Sequence, residues 1–441
     1  MPAFFRVGNT YSELRTLVDR AAYQPQPGVA TSRVGVWAFC LYLADIVFLA
    51  RGYAVSNLIE TLLFLTFLVN GPLRREFVNT LKDPVVASLM FFFGWVLVSG
   101  TWSSATWFAV LDDWWDWRKL LLLPIGLVLI SSMKRVMAAC YILAIMGLVY
   151  AFVALVDLWG FGQLWNRPYH GVVQDANVQG IYFSLIGLAC LLVGWINRDK
   201  RVITLALVMT SVVYFLLVAW FGISRSGYVA FIIALGLAGA FLARGHPVSG
   251  VLAGVLVAAM VLWQSPTVKQ RVQQATSEMA VGAAGLGGIH TSGSIRFVMW
   301  ENTLTMIAGA PVLGSGAGDF KKSYAEVVAG QTGWRATLTD DPHNQFLHIW
   351  GEYGVVGLLI FLGFLGAVFF RVHWQRLDGI LLACTLFISV AVSMFNGVYG
   401  GSAMGRLVII SLTICLAMAY SGWSGQVLVK MSPSGADSGQ D

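Results

Sequence analysis

Asp341-Pro342-His343-Asn344-Gln345-Phe346-Leu347 runs without a break into an apolar segment that passes Trp350, Glu352, Tyr353, Gly354 and Gly357 and ends near residue 370. As a helix, the run over 346–370 is long enough to cross the ~30 Å of hydrocarbon in a bilayer. Asp340 or Asp341 can cap this helix, and Pro342 fits a first turn that needs no backbone N–H. This reading sets an imidazole and a carboxamide just outside a membrane span, at the end of the one long polar loop. An imidazole fixed there beside acidic and amide groups is placed to move a proton.

The apolar pattern recurs along the whole chain. Composition is 57% hydrophobic and 11% charged, with a mean hydropathy of +0.73, far from the soluble globular range. About twelve runs read as spans, near 34–50, 53–70, 84–102, 119–131, 137–160, 178–196, 202–222, 227–243, 247–264, 346–370, 379–396 and 405–423. The fourth is short, which suits a tilted or partly interfacial segment. The expected fold class is therefore all-α, a polytopic integral membrane protein of about twelve transmembrane helices with one long loop carrying short helices.

Lys and Arg set the orientation. Arg15, Arg20, Arg33, Arg74, Arg75, Lys82, Lys134, Arg135, Arg198, Lys200, Arg201, Arg244, Arg371 and Arg376 fall on one side. The short loops of the other side hold Arg51, Arg118, Lys119, Arg167, Arg225 and Arg406. Both termini are expected in the cytoplasm. Residues 1–33 form a cytoplasmic segment, 34–264 the first nine spans, 265–345 the long outward loop, 346–423 the last three spans, and 424–441 a disordered cytoplasmic tail. No cleavable signal peptide is expected in the polar first thirty residues, which include Pro25 and Pro27. The net charge of +6 sits mainly in cytoplasmic loops, so it implies no nucleic-acid partner. Five cysteines lie in apolar runs, odd in number and without metal-ligand spacing, and read as small buried hydrophobes.

Within the long loop, a surface helix is expected over 266–279, and a Gly/Ala-rich connector over 281–293. A second helix is expected from Ser294 as N-cap through Arg296, Trp300 and Leu304, stopped by Pro311. Gly314-Ser315-Gly316-Ala317-Gly318 reads as a tight turn before a helical stretch over 319–328. It lacks a Gly-Lys-Ser/Thr ending and follows no strand, so it is not a nucleotide cradle.

Arg225 stands in Ser224-Arg225-Ser226-Gly227, between the seventh and eighth runs. A guanidinium keeps its charge, so beside hydrocarbon it needs an anion or water; snorkelling to headgroups meets that need as well as function does. Arg296 alone reads as part of a solvated helix face. Two outward arginines together with His343 in a charge-poor protein form a set: paired N–H···O forks neutralise a pyrophosphate, and a neutral imidazole takes a proton from a hydroxyl. His343 is thus the candidate general base. His348 reads as a packing or hydrogen-bonding residue, and His290 has no identifiable partner. Asp112, Asp113 and Asp116 at helical spacing resemble a divalent-cation site. Interleaved tryptophans and the adjacent Arg118 and Lys119 favour a membrane-interface belt instead, and no metal is expected.

These residues resemble the O-antigen ligase and O-antigen polymerase superfamily of bacterial envelope glycosyltransferases. The match runs from Ser294-Ile-Arg296 and Trp300, through Pro311-Val-Leu-Gly314-Ser-Gly316, to His343-Asn344 and Glu352-Tyr-Gly354. Ser224-Arg225 with Gly236, and Asp175-Ala-Asn177-Val-Gln-Gly180, are further matches. The resemblance implies a GT-C-like enzyme of the bacterial inner membrane, active on the periplasmic face without nucleotide, metal or other cofactor. It implies inverting transfer of a glycan from undecaprenyl pyrophosphate to a sugar hydroxyl of lipid A–core, in lipopolysaccharide biosynthesis. His343 would deprotonate the acceptor, Arg225 and Arg296 would hold the pyrophosphate, and Asn344, Asp341 and Glu352 would support them, with Asn344 or Asp341 orienting His343. Arg167, Asn177 and Arg118 are weaker donor-binding candidates. Partners are then the lipid-linked donor, lipid A–core and membrane lipids.

An O-antigen polymerase commonly carries two sizeable periplasmic loops, and only one loop is long here. A protein O-oligosaccharyltransferase often adds a terminal periplasmic domain, whereas this chain closes on a short tail. A lipid-glycan transporter would place ionisable groups near the midplane; here they cluster at the outer boundary. Ligase is the preferred reading.

Overall fold

The computed structural model describes residues 13, 15–24, 33–48, 53–158, 175–283, 292–400 and 402–421. These are mainly helical, with no strand among them. Many helix starts are written locally. Asn70, Asp83, Thr106, Asp175, Ser224 and Asn344 are extended residues whose side-chain oxygens accept a backbone N–H two or three residues on. Each satisfies a donor that the first helical turn leaves unpaired.

Among the described residues, seven helices are long and apolar enough to cross a membrane: Met133–Val156, Ala176–Ile196, Arg201–Phe221, Arg225–Leu242, Pro247–Gln264, Gln345–Phe370 and Ala403–Tyr420. The count becomes eight if Val55–Val69 and Gly71–Thr80, bent by 100° at Asn70, form one broken span. Gly35–Ala44, Pro84–Ser99 and Leu377–Ser393 are apolar but shorter. The expected span over 119–131 is a 3-10 turn, Trp117–Leu121, followed by the eight-residue helix Leu122–Leu129. At 1.5 Å per residue that helix reaches about 12 Å, well short of a bilayer. Where they are described the apolar runs fold as helices, and the protein is a polytopic membrane protein, with seven or eight of the expected spans meeting the length for crossing among the described residues.

Loop helices appear as Pro266–Ala283, Ser292–Gly309 and Phe320–Val328. The second begins two residues before Ser294, the expected cap, and ends before Pro311. Residues 284–291, with His290, lie outside the described residues, as do most of 1–33 and the tail from 422. All five cysteines are free, Cys384 and Cys415 fully buried.

At the far end of the Gln345–Phe370 helix, Asp83 ties four segments together. It caps Val85 N–H and accepts from Tyr23 N–H, Tyr420 Oη and Arg371 Nη2 at 2.6–3.0 Å.

Candidate active site

His343 has φ 56, the one positive φ at a non-glycine among the described residues. Such a conformation is uncommon and needs support from its surroundings. Asp341 supplies it: Oδ1 accepts the His343 backbone N–H at 2.7 Å, and Oδ2 lies 3.8 Å from the ring Nδ1. Trp300 Nε1 donates to the Pro342 carbonyl at 2.9 Å, pinning the same turn from the loop helix. The His343 side chain remains 45% exposed, so its ring is open to a second reactant.

The helix is not capped by Asp340 or Asp341, nor does Pro342 enter its first turn. Asn344 is the cap, its Oδ1 accepting Phe346 and Leu347 N–H at 3.1 Å each. An Asx cap satisfies two amide donors where a more distant Asp satisfies none. Between the two residues offered for orienting His343, the contact belongs to Asp341, because the Asn344 carbonyl is occupied.

Arg225 is the first residue of its helix and is exposed; Arg296 is half-buried on the Ser292–Gly309 helix. Burial and the nearby Arg225 charge lower the Arg296 pKa, and Asp341 opposes them. Arg296 is thus within electrostatic reach of both Arg225 and the carboxylate that holds His343. The link that gathers all three is the loop over 394–400. Asn396 Nδ2 donates to Ser226 Oγ at 3.1 Å, beside Arg225. A Cβ on Gly397 would meet Asp341 Oδ2 at 2.8 Å. Phe395 packs on Trp300, one turn from Arg296, with ring centroids 6.0 Å apart. Gln345 Oε1 accepts Tyr399 and Gly400 N–H at 2.8 and 2.9 Å. Sequence reading gave this loop no role; its only signal was an Asn396-Gly397 turn dipeptide.

Asn177 meets the same cluster from the side. Its Oδ1 accepts Ser224 Oγ–H at 2.5 Å, fixing the residue before Arg225. Below it, the Ala176–Ile196 and Arg225–Leu242 helices touch backbone to backbone: a Cβ on Gly180 would lie 2.6 Å from Gly227 Cα. Arg118 is engaged elsewhere, with Glu60 Oε2 at 3.1 Å and Asn57 Oδ1 at 2.7 Å. Arg167 lies outside the described residues.

Glu352 ties the glycine turn to the helix through both its carbonyl and its carboxylate. At Gly354 the helix breaks (φ 72, ψ 178), freeing the carbonyls of Gly351 and Glu352. Ser315 and Gly316 N–H donate to them at 3.0 and 2.8 Å, and Gly318 N–H donates to Glu352 Oε1 at 2.9 Å. Val355 N–H returns a bond to the Pro311 carbonyl at 3.0 Å. The Pro-x-x-Gly-x-Gly turn and the Glu-x-Gly break are therefore two halves of one clip. His348 Nε2 pairs with Glu352 Oε2 at 3.1 Å. Asp113, which the sequence places in an interfacial acidic cluster, instead accepts Tyr353 Oη–H on its Oδ2 at 2.9 Å, while Trp117 Nε1 donates to the same hydroxyl.

An all-helical, polytopic membrane protein with an imidazole and two guanidiniums gathered at its helix ends is the class these features define. Residues 213–362 match the family model described as O-antigen ligase. Members are glycosyltransferase-like enzymes. The matched stretch contains Arg225, Arg296, His343, Asn344 and Glu352, and leaves out Arg118 and Asn177. A Haemophilus influenzae protein named only as an uncharacterized protein is 22% identical over 327 residues, covering 72% of this chain and 79% of its own.

Proposed function

We propose that this protein transfers an O-antigen glycan from undecaprenyl pyrophosphate to a sugar hydroxyl of lipid A–core, on the periplasmic face of the inner membrane. The observation that carries the reading is the gathering of Arg225, Arg296 and the Asp341–His343 pair around the loop over 394–400. A ring nitrogen of His343 takes the proton of the acceptor hydroxyl. The freed oxygen attacks the anomeric carbon opposite the pyrophosphate, forming the new glycosidic C–O bond with inversion. The old C–O bond breaks, and its electron pair leaves on the polyprenyl pyrophosphate. Arg225 and Arg296 hold that group and stabilise the charge it gains. Asp341 keeps the His343 turn in place and favours the imidazolium once the proton has moved.

The test is an in vitro transfer assay with purified protein, a polyprenyl-pyrophosphate glycan and lipid A–core. Glycosylated lipid A–core from the unaltered protein, lost in His343→Ala and Arg225→Ala, is the expected result. A lengthened lipid-linked glycan would replace the acceptor by another repeat unit and make the protein a polymerase. Donor binding without transfer to any acceptor would point to a transporter and end the enzymatic reading.

A further inference from the structure

A polar cavity of about 350 Å³ meets the loop over 394–400 at Gly400. Asn57, Glu60, Arg118, Lys119, Gly400 and Arg406 line it, with Asp116 at its mouth, where that side chain is 71% exposed. Its formal charges do not balance: three basic side chains face two carboxylates. Glu60, 1% exposed, is already shared, taking Arg406 Nε at 2.7 Å, Arg118 Nε at 3.1 Å and the Tyr42 hydroxyl at 2.6 Å. Asn57 Oδ1 accepts an Nη2 of both arginines at 2.7 Å. Lys119 is left over. It is 4% exposed and donates to the Gly400 carbonyl at 2.6 Å, with no carboxylate within 4 Å among the described residues. A buried ammonium held by one carbonyl is costly unless an anion joins it.

We infer that this cavity is an anion site for a phosphate group carried by a sugar or a lipid headgroup, with Lys119 supplying the unbalanced charge and Arg118 and Arg406 the directional donors. The volume admits the phosphate together with the group that bears it. Gly400 joins the cavity to the candidate active site, because its carbonyl holds Lys119 while its N–H is held by Gln345, next to the Asn344 cap. The inference stands on the cavity's own charges and holds whether or not the protein is a ligase.

The experiment uses purified full-length protein carrying Arg225→Ala and Arg296→Ala, which removes the other anion-binding groups. Inorganic phosphate and glucose 1-phosphate are titrated calorimetrically in detergent, and again in nanodiscs of phosphatidylglycerol or of phosphatidylcholine. Saturable binding is expected, weakened about tenfold or more by adding Lys119→Gln. The exposed Asp116→Asn, which gives up a 3.7 Å ion pair with Arg118, should tighten it several-fold by removing a competing negative charge. Competition by phosphatidylglycerol alone would assign the site to a lipid headgroup, and binding of glucose 1-phosphate in both nanodiscs to a phosphorylated sugar. Absence of binding by either probe, or affinities unmoved by both Lys119→Gln and Asp116→Asn, would overturn the proposal.

Discussion

Replacing Gly354 by Ala puts a methyl group where backbone already stands: a Cβ there would lie 2.0 Å from the Val312 carbonyl oxygen. The φ 72, ψ 178 conformation is also one that glycine alone adopts readily, so the substitution costs about 1–3 kcal/mol in the backbone itself. Four hydrogen bonds cross the junction: Ser315 N–H to Gly351, Gly316 N–H to Glu352, Val355 N–H to Pro311, and Gly318 N–H to the Glu352 carboxylate. At about 1 kcal/mol net each, displacing the turn brings the total to roughly 5 kcal/mol or more. That is on the order of 10 °C in melting temperature at about 2 °C per kcal/mol. The assay is thermal unfolding in detergent beside Gly363→Ala, a glycine of the same helix with open space around its Cβ position. The control should gain up to about 1 kcal/mol from helix propensity. If Gly354→Ala melts with Gly363→Ala, the turn is not clipped to the helix break and the account of Glu352 fails.

Asn344→Ala removes the cap that serves two amides and should cost about 1 kcal/mol, read by the same melting assay. Asp341→Asn keeps an acceptor for the His343 N–H but loses the charge facing the ring; kcat of transfer should fall about tenfold with little change in KM. Arg225→Lys keeps a cation but not the fork, and should recover only a small part of the activity that Arg225→Ala loses, measured as kcat/KM for the donor. Burial and the nearby Glu352 charge hold the Asp113 carboxyl well above the usual carboxylate range. The stability Asp113 contributes is therefore present below the ordinary carboxylate pKa and lost as pH rises through the raised value. Asp113→Asn, which keeps an acceptor for Tyr353, should melt higher than the unaltered protein at pH 8, the gap closing towards about pH 4.

The helices were legible because apolar runs and caps are local: Ser224 before Arg225 and Asp175 before Asn177 are visible in a window of four residues. The candidate site was legible as a set of residue types, since Arg and His stand out in a chain with 11% charge. How those residues meet was not legible. Asn396, Gly397 and Gly400 are small and uncharged, and no periodicity marks a loop that makes its contacts 50 or more residues away. The choice between Asn344 and Asp341 turned on which of them caps the helix, and both residue types cap equally well by identity alone. Span length misled for a related reason. Hydropathy sums over the start of a new helix at Leu122, inside the run over 119–131, whereas crossing a bilayer depends on unbroken rise.

The contact between Gly180 and Gly227 makes a fulcrum. Two helices whose backbones touch at one point have no side chain there to compress, so they can rotate about it but not approach further. Arg225 sits two residues from that point, joined across it by the Ser224–Asn177 bond. A rocking motion that spread the distant ends of these helices, as entry of a lipid tail would require, would move Arg225 least of all. The cation would stay fixed in space while the bundle around it opened.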